Sequence, residues 1–268
     1  MKRLYSSLPN IIEQNEIEAK SCQKFYYDSC EQSPILDKYL TVRPKSEKPE
    51  RYCSYKLNPS SNKIIMITGN SLVYFQIRGI LDAIKESKTQ FKEAFFITHP
   101  ACSIIAGKLN YIKKITCENF DGSFDALLNA TKPDIIIHSS RFKNQKIKTY
   151  QNPLTIAHTL QSNGSISSFN VSIERFHETQ DPTWNRVKKA VESCLNCILI
   201  PTQNLFCQKT HCPAVDRRTQ LGMYCDLNHL TPRYSLCLKP NILEAIDFKK
   251  QKMNFNCDLS VLKIKNKF

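Results

Sequence analysis

Lys63-Ile64-Ile65-Met66-Ile67-Thr68-Gly69-Asn70-Ser71 is the stretch on which the fold turns. Residues 63–68 read as a short strand: its apolar run, Ile64 to Ile67, is rich in β-branched side chains, the composition of a strand buried on both faces. Beyond Ser71 the period changes: Val73, Ile77, Ile80, Leu81 and Ile84 recur at helical spacing. The expected order is strand, sharp turn, helix, with Gly69 permitting the turn. Ser71 then stands at the carboxyl end of a strand and at the amino end of a helix.

The same grammar repeats outward. Residues 94–98 and 134–138 read as further strands, the latter opened by Lys132-Pro133. Residues 184–194 read as an amphipathic helix, with Val187, Ala190 and Val191 on one face, and residues 197–200 as a fourth strand closed by Pro201. Apolar strands separated by helices predict an α/β fold, a three-layer α/β/α sandwich around a mostly parallel sheet. In such sheets ligands bind beyond the carboxyl ends of the strands. Residues 1–60 read as an irregular, Cys-containing segment, residues 61–240 as the α/β domain and residues 241–268 as a basic tail.

A serine at a strand-to-helix turn has two readings. Asn-Ser before a helix is ordinary N-cap chemistry. It is also where a nucleophile meets the unpaired N–H groups of a first helical turn, which can hold a developing oxyanion. The second reading needs a base. Asp226-Leu227-Asn228-His229 supplies an imidazole and, three residues before it, a carboxylate to fix its tautomer. His99, His138, His158, His177 and His211 are the other candidate bases, and a histidine closing a strand, as His138 does, is more often structural.

Composition excludes several classes. Hydrophobic residues at 41% and aromatics at 10% argue for a packed core. No stretch approaches the ~20 apolar residues that span a bilayer, and residues 1–10 lack the apolar core of a signal peptide. Twelve cysteines point instead to disulfides and an oxidising compartment, as do the sequons at Asn129, Asn163 and Asn170. A lumenal or extracellular fragment of a longer protein reconciles the two. Cys194, Cys197, Cys207, His211 and Cys212 are ligand types that zinc accepts. Because Cys197 opens an apolar strand, disulfides or buried thiols are preferred and no metal is expected. With six glycines and no phosphate-binding glycine loop, no cofactor is expected either. The net charge of +14 comes from dispersed lysines without an arginine block, so nucleic acid is not the expected partner. The tail lysines Lys249, Lys250, Lys252, Lys263, Lys265 and Lys267 leave anionic surfaces open as partners.

The ordered set of short blocks resembles a known family. Tyr52-Cys53-Ser54 precedes the strand and Gly69-Asn70-Ser71. His99-Pro100-Ala101-Cys102 follows the second strand. Then come Lys132-Pro133-Asp134-Ile135-Ile136-Ile137 with Ser140-Arg141-Phe142, Cys197-Ile198-Leu199-Ile200-Pro201, and Asp226-Leu227-Asn228-His229-Leu230-Thr231-Pro232. Over residues 50–240 this is similar to the SGNH-type domain fused to acyltransferase-3 membrane proteins, especially the animal, nematode-like branch. The resemblance implies an SGNH-hydrolase-like fold with Ser71 as nucleophile, His229 as base and Asp226 as its orienting partner. It implies transfer of an acyl group from a donor to a hydroxyl-bearing acceptor such as a glycan, with a membrane acyltransferase-3 domain missing from this chain as a partner. The chain departs from the family where many relatives read Gly-Asp-Ser followed by His or an aromatic; here the block is Gly69-Asn70-Ser71-Leu72. No Gly-x-Asn block supplies the usual oxyanion donor, and Gly69, Asn70 and Arg141 are the candidates to support it. An acyl-ester hydrolase is the alternative within the fold. A catalytically degenerate binding domain and an anionic-polymer binder acting through the tail are the alternatives outside enzymology.

Overall fold

The run from Ile64 to Ile67 has no polar face, and the chain buries it on both sides. The structure, a computed structural model, describes residues 7–23, 29–40, 51–99, 120–140, 152–226 and 228–247. In chain order the described elements open with α1 (Leu8–Ser21), β1 (Glu31–Gln32), α2 (Pro34–Tyr39) and β2 (Arg51–Lys56). The strand–helix alternation follows: β3 (Ile64–Gly69), α3 (Ser71–Glu86), β4 (Glu93–Thr98), α4 (Phe120–Thr131), β5 (Ile135–Ser139) and α5 (Pro153–Gln161). The remainder comprises β6 (Val171–Ser172), α6 (Ile173–Glu192), α7 (Gln203–Phe206), β7 (His211–Cys212), α8 (Pro232–Ser235) and α9 (Lys239–Ile246).

The central sheet has five strands in the order β1-β2-β4-β3-β5. β3 pairs in parallel with β4 on one side and β5 on the other, while β2 and β1 extend the β4 edge antiparallel. Alternation along β3 divides its side chains between two layers. Ile65 and Ile67 enter a cluster with Val73, Ile77, Ile80 and Leu81 of α3, covered in turn by Leu236, Leu238 and Ile242. Met66 enters the opposite cluster, with Phe95, Ile97, Leu36, Leu40, Phe124 and Leu127. Helices on both faces of the sheet make the expected three-layer α/β/α arrangement.

Two expectations are corrected. Among the described residues of the 1–60 segment the chain is not irregular: it carries α1, β1, α2 and β2, and β2 is a full member of the sheet, in register from Arg51↔Thr98 to Lys56↔Glu93. Prolines and charges across 41–50 masked a strand whose inward residues are Cys53 and Tyr55. The Tyr55 ring lies 6.3 Å from that of Phe96, and Cys53 is disulfide-bonded to Cys30. Residues 197–200 form no strand. A disulfide joins Cys194 to Cys197, Pro201 follows, and four apolar residues without a partner strand have nowhere to place their backbone bonds. The helix expected over 184–194 is the end of the longer α6, which starts at a Ser172 cap on Arg175 N–H and continues through Pro182.

Two glycines permit close backbone approaches. Gly69 ends β3 at φ +150°, and a Cβ there would lie 1.9 Å from the Ser139 carbonyl oxygen of β5. Gly79 in α3 lets α8 approach, since a Cβ there would lie 2.0 Å from the Ser235 carbonyl oxygen. Gly69→Ala therefore combines a backbone conformation that L side chains avoid with a collision against a paired strand. It is expected to cost about 2–4 kcal/mol, read as a lower urea midpoint at unchanged slope. An unchanged midpoint would show that β5 gives way freely.

Candidate active site

Ser71 is the first residue of α3, and its position is set from behind. Asn70 caps the helix, its side-chain oxygen accepting from Leu72 N–H at 3.0 Å. Asn70 N–H donates to Ser139 O at 3.3 Å, and Thr98 Oγ1 donates to Asn70 O at 2.9 Å. The turn is thus pinned to the ends of both neighbouring strands. Ser71 N–H lies in the first turn, where a helix offers no carbonyl four residues back. Gly69 shapes the turn. Arg141 lies outside the described residues.

Asp226 and His229 arrive from the other end of the chain, on a tight loop. Tyr224 and Leu230 form an antiparallel bridge across its base, and Cys225 N–H donates to His229 O at 2.7 Å. Inside it, Asp226 Oδ1 accepts from Asn228 N–H at 2.8 Å and His229 N–H at 3.0 Å. Asp226 Oδ2 is left for His229 Nδ1 at 2.7 Å, and His229 Nε2 lies 2.8 Å from Ser71 Oγ. An ionised carboxylate only accepts, so Nδ1 carries the proton and Nε2 is free to accept from the serine hydroxyl. Burial pushes the Asp226 carboxyl up, but its bond to His229, the charge of that imidazole and the two loop N–H groups outweigh burial, and the group is held below the usual carboxylate range.

The structure brings Ser71, His229 and Asp226 together. Burial drives His138 down to about 4, a poor proton acceptor at neutral pH. His177 faces Asp181 at 3.0 Å on α6, and His211 contacts Thr210 and Arg217. Cys194–Cys197 and Cys207–Cys212 are disulfides, which removes the candidate zinc thiolates. No group of three or more metal-ligating side chains occurs among the described residues.

Two features escaped the sequence reading. Phe75 stacks on His229 with ring centroids 4.4 Å apart, holding the plane of the imidazole. Its signal was its place four residues after Ser71, on the same helix face. Cys225, adjacent to Asp226, is disulfide-bonded to Cys22 at the end of α1, a pairing across 203 residues that spacing does not announce.

Residues 147–244 match the model of the SGNH domain (fused to AT3 domains). The matched segment contains Asp226 and His229, while Ser71 lies upstream of it. No curated protein matches the chain. Among solved structures it is similar to the periplasmic domain of a lipopolysaccharide acetyltransferase of Salmonella ser. Paratyphi A, at 10% identity over 92% of this chain and 98% of that one, with a TM-score of 0.46.

The lowered Asp226 carboxyl has a signed consequence. Its folded value lies below its unfolded one, so its stabilisation is fully present above the ordinary carboxyl range and is lost as pH falls through the folded value. Between about pH 5 and pH 2 the melting temperature of the wild type should therefore fall more steeply than that of Asp226→Asn. Parallel melting curves for the two proteins would contradict that assignment.

Proposed function

The chain carries an SGNH domain of the acyltransferase-3 family, and from that premise we propose that it is a serine-dependent O-acyltransferase working through an acyl-Ser71 intermediate. The observation that carries this reading is the unbroken chain Ser71 Oγ–His229 Nε2–Asp226, with contacts of 2.8 and 2.7 Å. Each member has the partner its step requires. His229 Nε2 accepts the hydroxyl proton as Ser71 Oγ attacks the acyl carbonyl. Asp226 stabilises the imidazolium that results. Ser71 N–H at the head of α3 donates to the oxyanion, and the positive end of the helix dipole favours the charge there. The imidazolium then protonates the departing donor oxygen, leaving the acyl group on Ser71. In the second half His229 takes the proton of an acceptor hydroxyl, the acceptor oxygen attacks the acyl-serine, and Ser71 is regenerated.

The acceptor in this reading is a hydroxyl of a glycan or similar molecule, and the donor is delivered by an acyltransferase-3 membrane domain. Its place is extracytoplasmic, supported by the four described disulfides and by Cys237, which is disulfide-bonded as well.

Ser71→Ala should lower acyl transfer and hydrolysis of a generic acyl ester by about 10³-fold or more. A fluorophosphonate should label the wild type at Ser71, located by peptide mass spectrometry. A fully active Ser71→Ala protein, or a wild type that stays unlabelled, sinks the proposal.

A further inference from the structure

The loop bearing Asp226 and His229 contains no helix or long strand of its own, yet its geometry at Ser71 depends on sub-ångström placement. What holds it is α1. Asn15, fully buried on α1, donates from Nδ2 to Gln220 O at 3.0 Å and accepts at Oδ1 from Gly222 N–H at 2.8 Å. Its carboxamide thus closes the turn that leads into the loop, satisfying the half-buried Gln220 carbonyl and the buried Gly222 N–H. One helical turn on, Glu18, also buried, pairs with Nε of Arg233, just beyond the loop. At the end of the helix Cys22 is disulfide-bonded to Cys225, the residue before Asp226. Asn15, Glu18 and Cys22 recur at helical spacing, so a single face of α1 grips the segment before, at and after the Asp226–His229 pair.

We propose that α1 is a brace for the reaction, with Asn15, Glu18 and the Cys22–Cys225 disulfide acting as positioning elements that hold Asp226 and His229 in register with Ser71. The inference rests on the acyl-transfer reading for its rate consequence, and on the contacts alone for its structural one. None of the three touches Ser71 or the reacting atoms. They act through the backbone of residues 220–233, whose displacement by about 1 Å is enough to cost ~100-fold in rate. Burial raises the Glu18 carboxyl despite the attraction of Arg233 and, more weakly, Arg78, so removing Arg233 would leave a buried acid without its hydrogen-bond partner.

The test compares the wild type with Cys22→Ser/Cys225→Ser, Asn15→Leu and the conservative Glu18→Gln, which keeps an acceptor oxygen for Arg233. Two readouts are taken on each folded protein: kcat and KM for ester hydrolysis, and amide hydrogen exchange across 220–231 and across β3 to β5. The double cysteine variant and Asn15→Leu should lose about tenfold or more in kcat with KM changed by less than about threefold. Exchange should accelerate at Cys225 and His229 N–H while the sheet stays protected. Glu18→Gln should retain most of both. Loss of rate with the loop still protected, or loss of protection with the rate kept, overturns the brace. A wild type that neither turns over nor labels at Ser71 defeats the acyl-transfer reading instead. Unchanged loop exchange in the variants would then overturn the brace without reference to activity.

Discussion

Parallel pairing of β3 on both of its edges is the constraint from which the rest follows. A strand bonded to β4 and β5 and covered by helices on both faces has no freedom left at its carboxyl end. Gly69 passes against the Ser139 carbonyl, Asn70 is tied to Ser139 and Thr98, and Ser71 emerges at one defined point. Ser71 follows directly on a strand that is buried from Ile65 to Gly69.

His229 is placed by different means. Its loop contributes few apolar side chains to the core, so its order comes from bonds within the loop and from bonds to α1. The Asp226 carboxylate serves both ends of this arrangement: one oxygen closes the loop on two backbone N–H groups, the other faces His229. A single side chain thereby couples loop conformation to the tautomer and orientation of the imidazole. Phe75, one turn beyond Ser71 on α3, adds a stacked ring contact from that helix. The imidazole is therefore bounded by the helix that carries the serine and by the loop that carries the carboxylate.

The legible parts of this arrangement were those written in short-range pattern. The continuous apolar, β-branched run of β3 and helical spacing from Val73 to Ile84 are local signals, and they located the turn at Ser71. The Asp226-x-x-His229 spacing was equally local. β2 was missed because its inward residues, Cys53 and Tyr55, alternate with polar ones over only six positions beside a charged, proline-containing stretch. The strand expected over 197–200 was read from composition alone, and a strand exists only where another can pair with it. α1 was illegible for a third reason. Its inward residues include Asn15 and Glu18, so its contacts are polar and its apolar stripe is thin. Their partners lie more than 200 residues away, where no spacing rule reaches.

That last point bears on how the two halves of the site relate. The segment that matches the SGNH family model begins well after Ser71 and ends after Arg233, so Asp226 and His229 lie in it and Ser71 does not. The contacts that hold the Asp226–His229 loop also reach outside it, to α1. Ordering an irregular loop costs about 1–2 kcal/mol per residue in backbone entropy, and a disulfide that closes a long loop offsets part of that cost by restricting the unfolded chain. Cys22–Cys225 closes almost the whole described chain, and it does so at the residue next to Asp226. A tether of that length contributes about the same to global stability wherever its second end falls between residues 200 and 240, since the closure term varies only with the logarithm of loop length. Global stability therefore does not single out Cys225; under the proposed brace, its place beside Asp226 does.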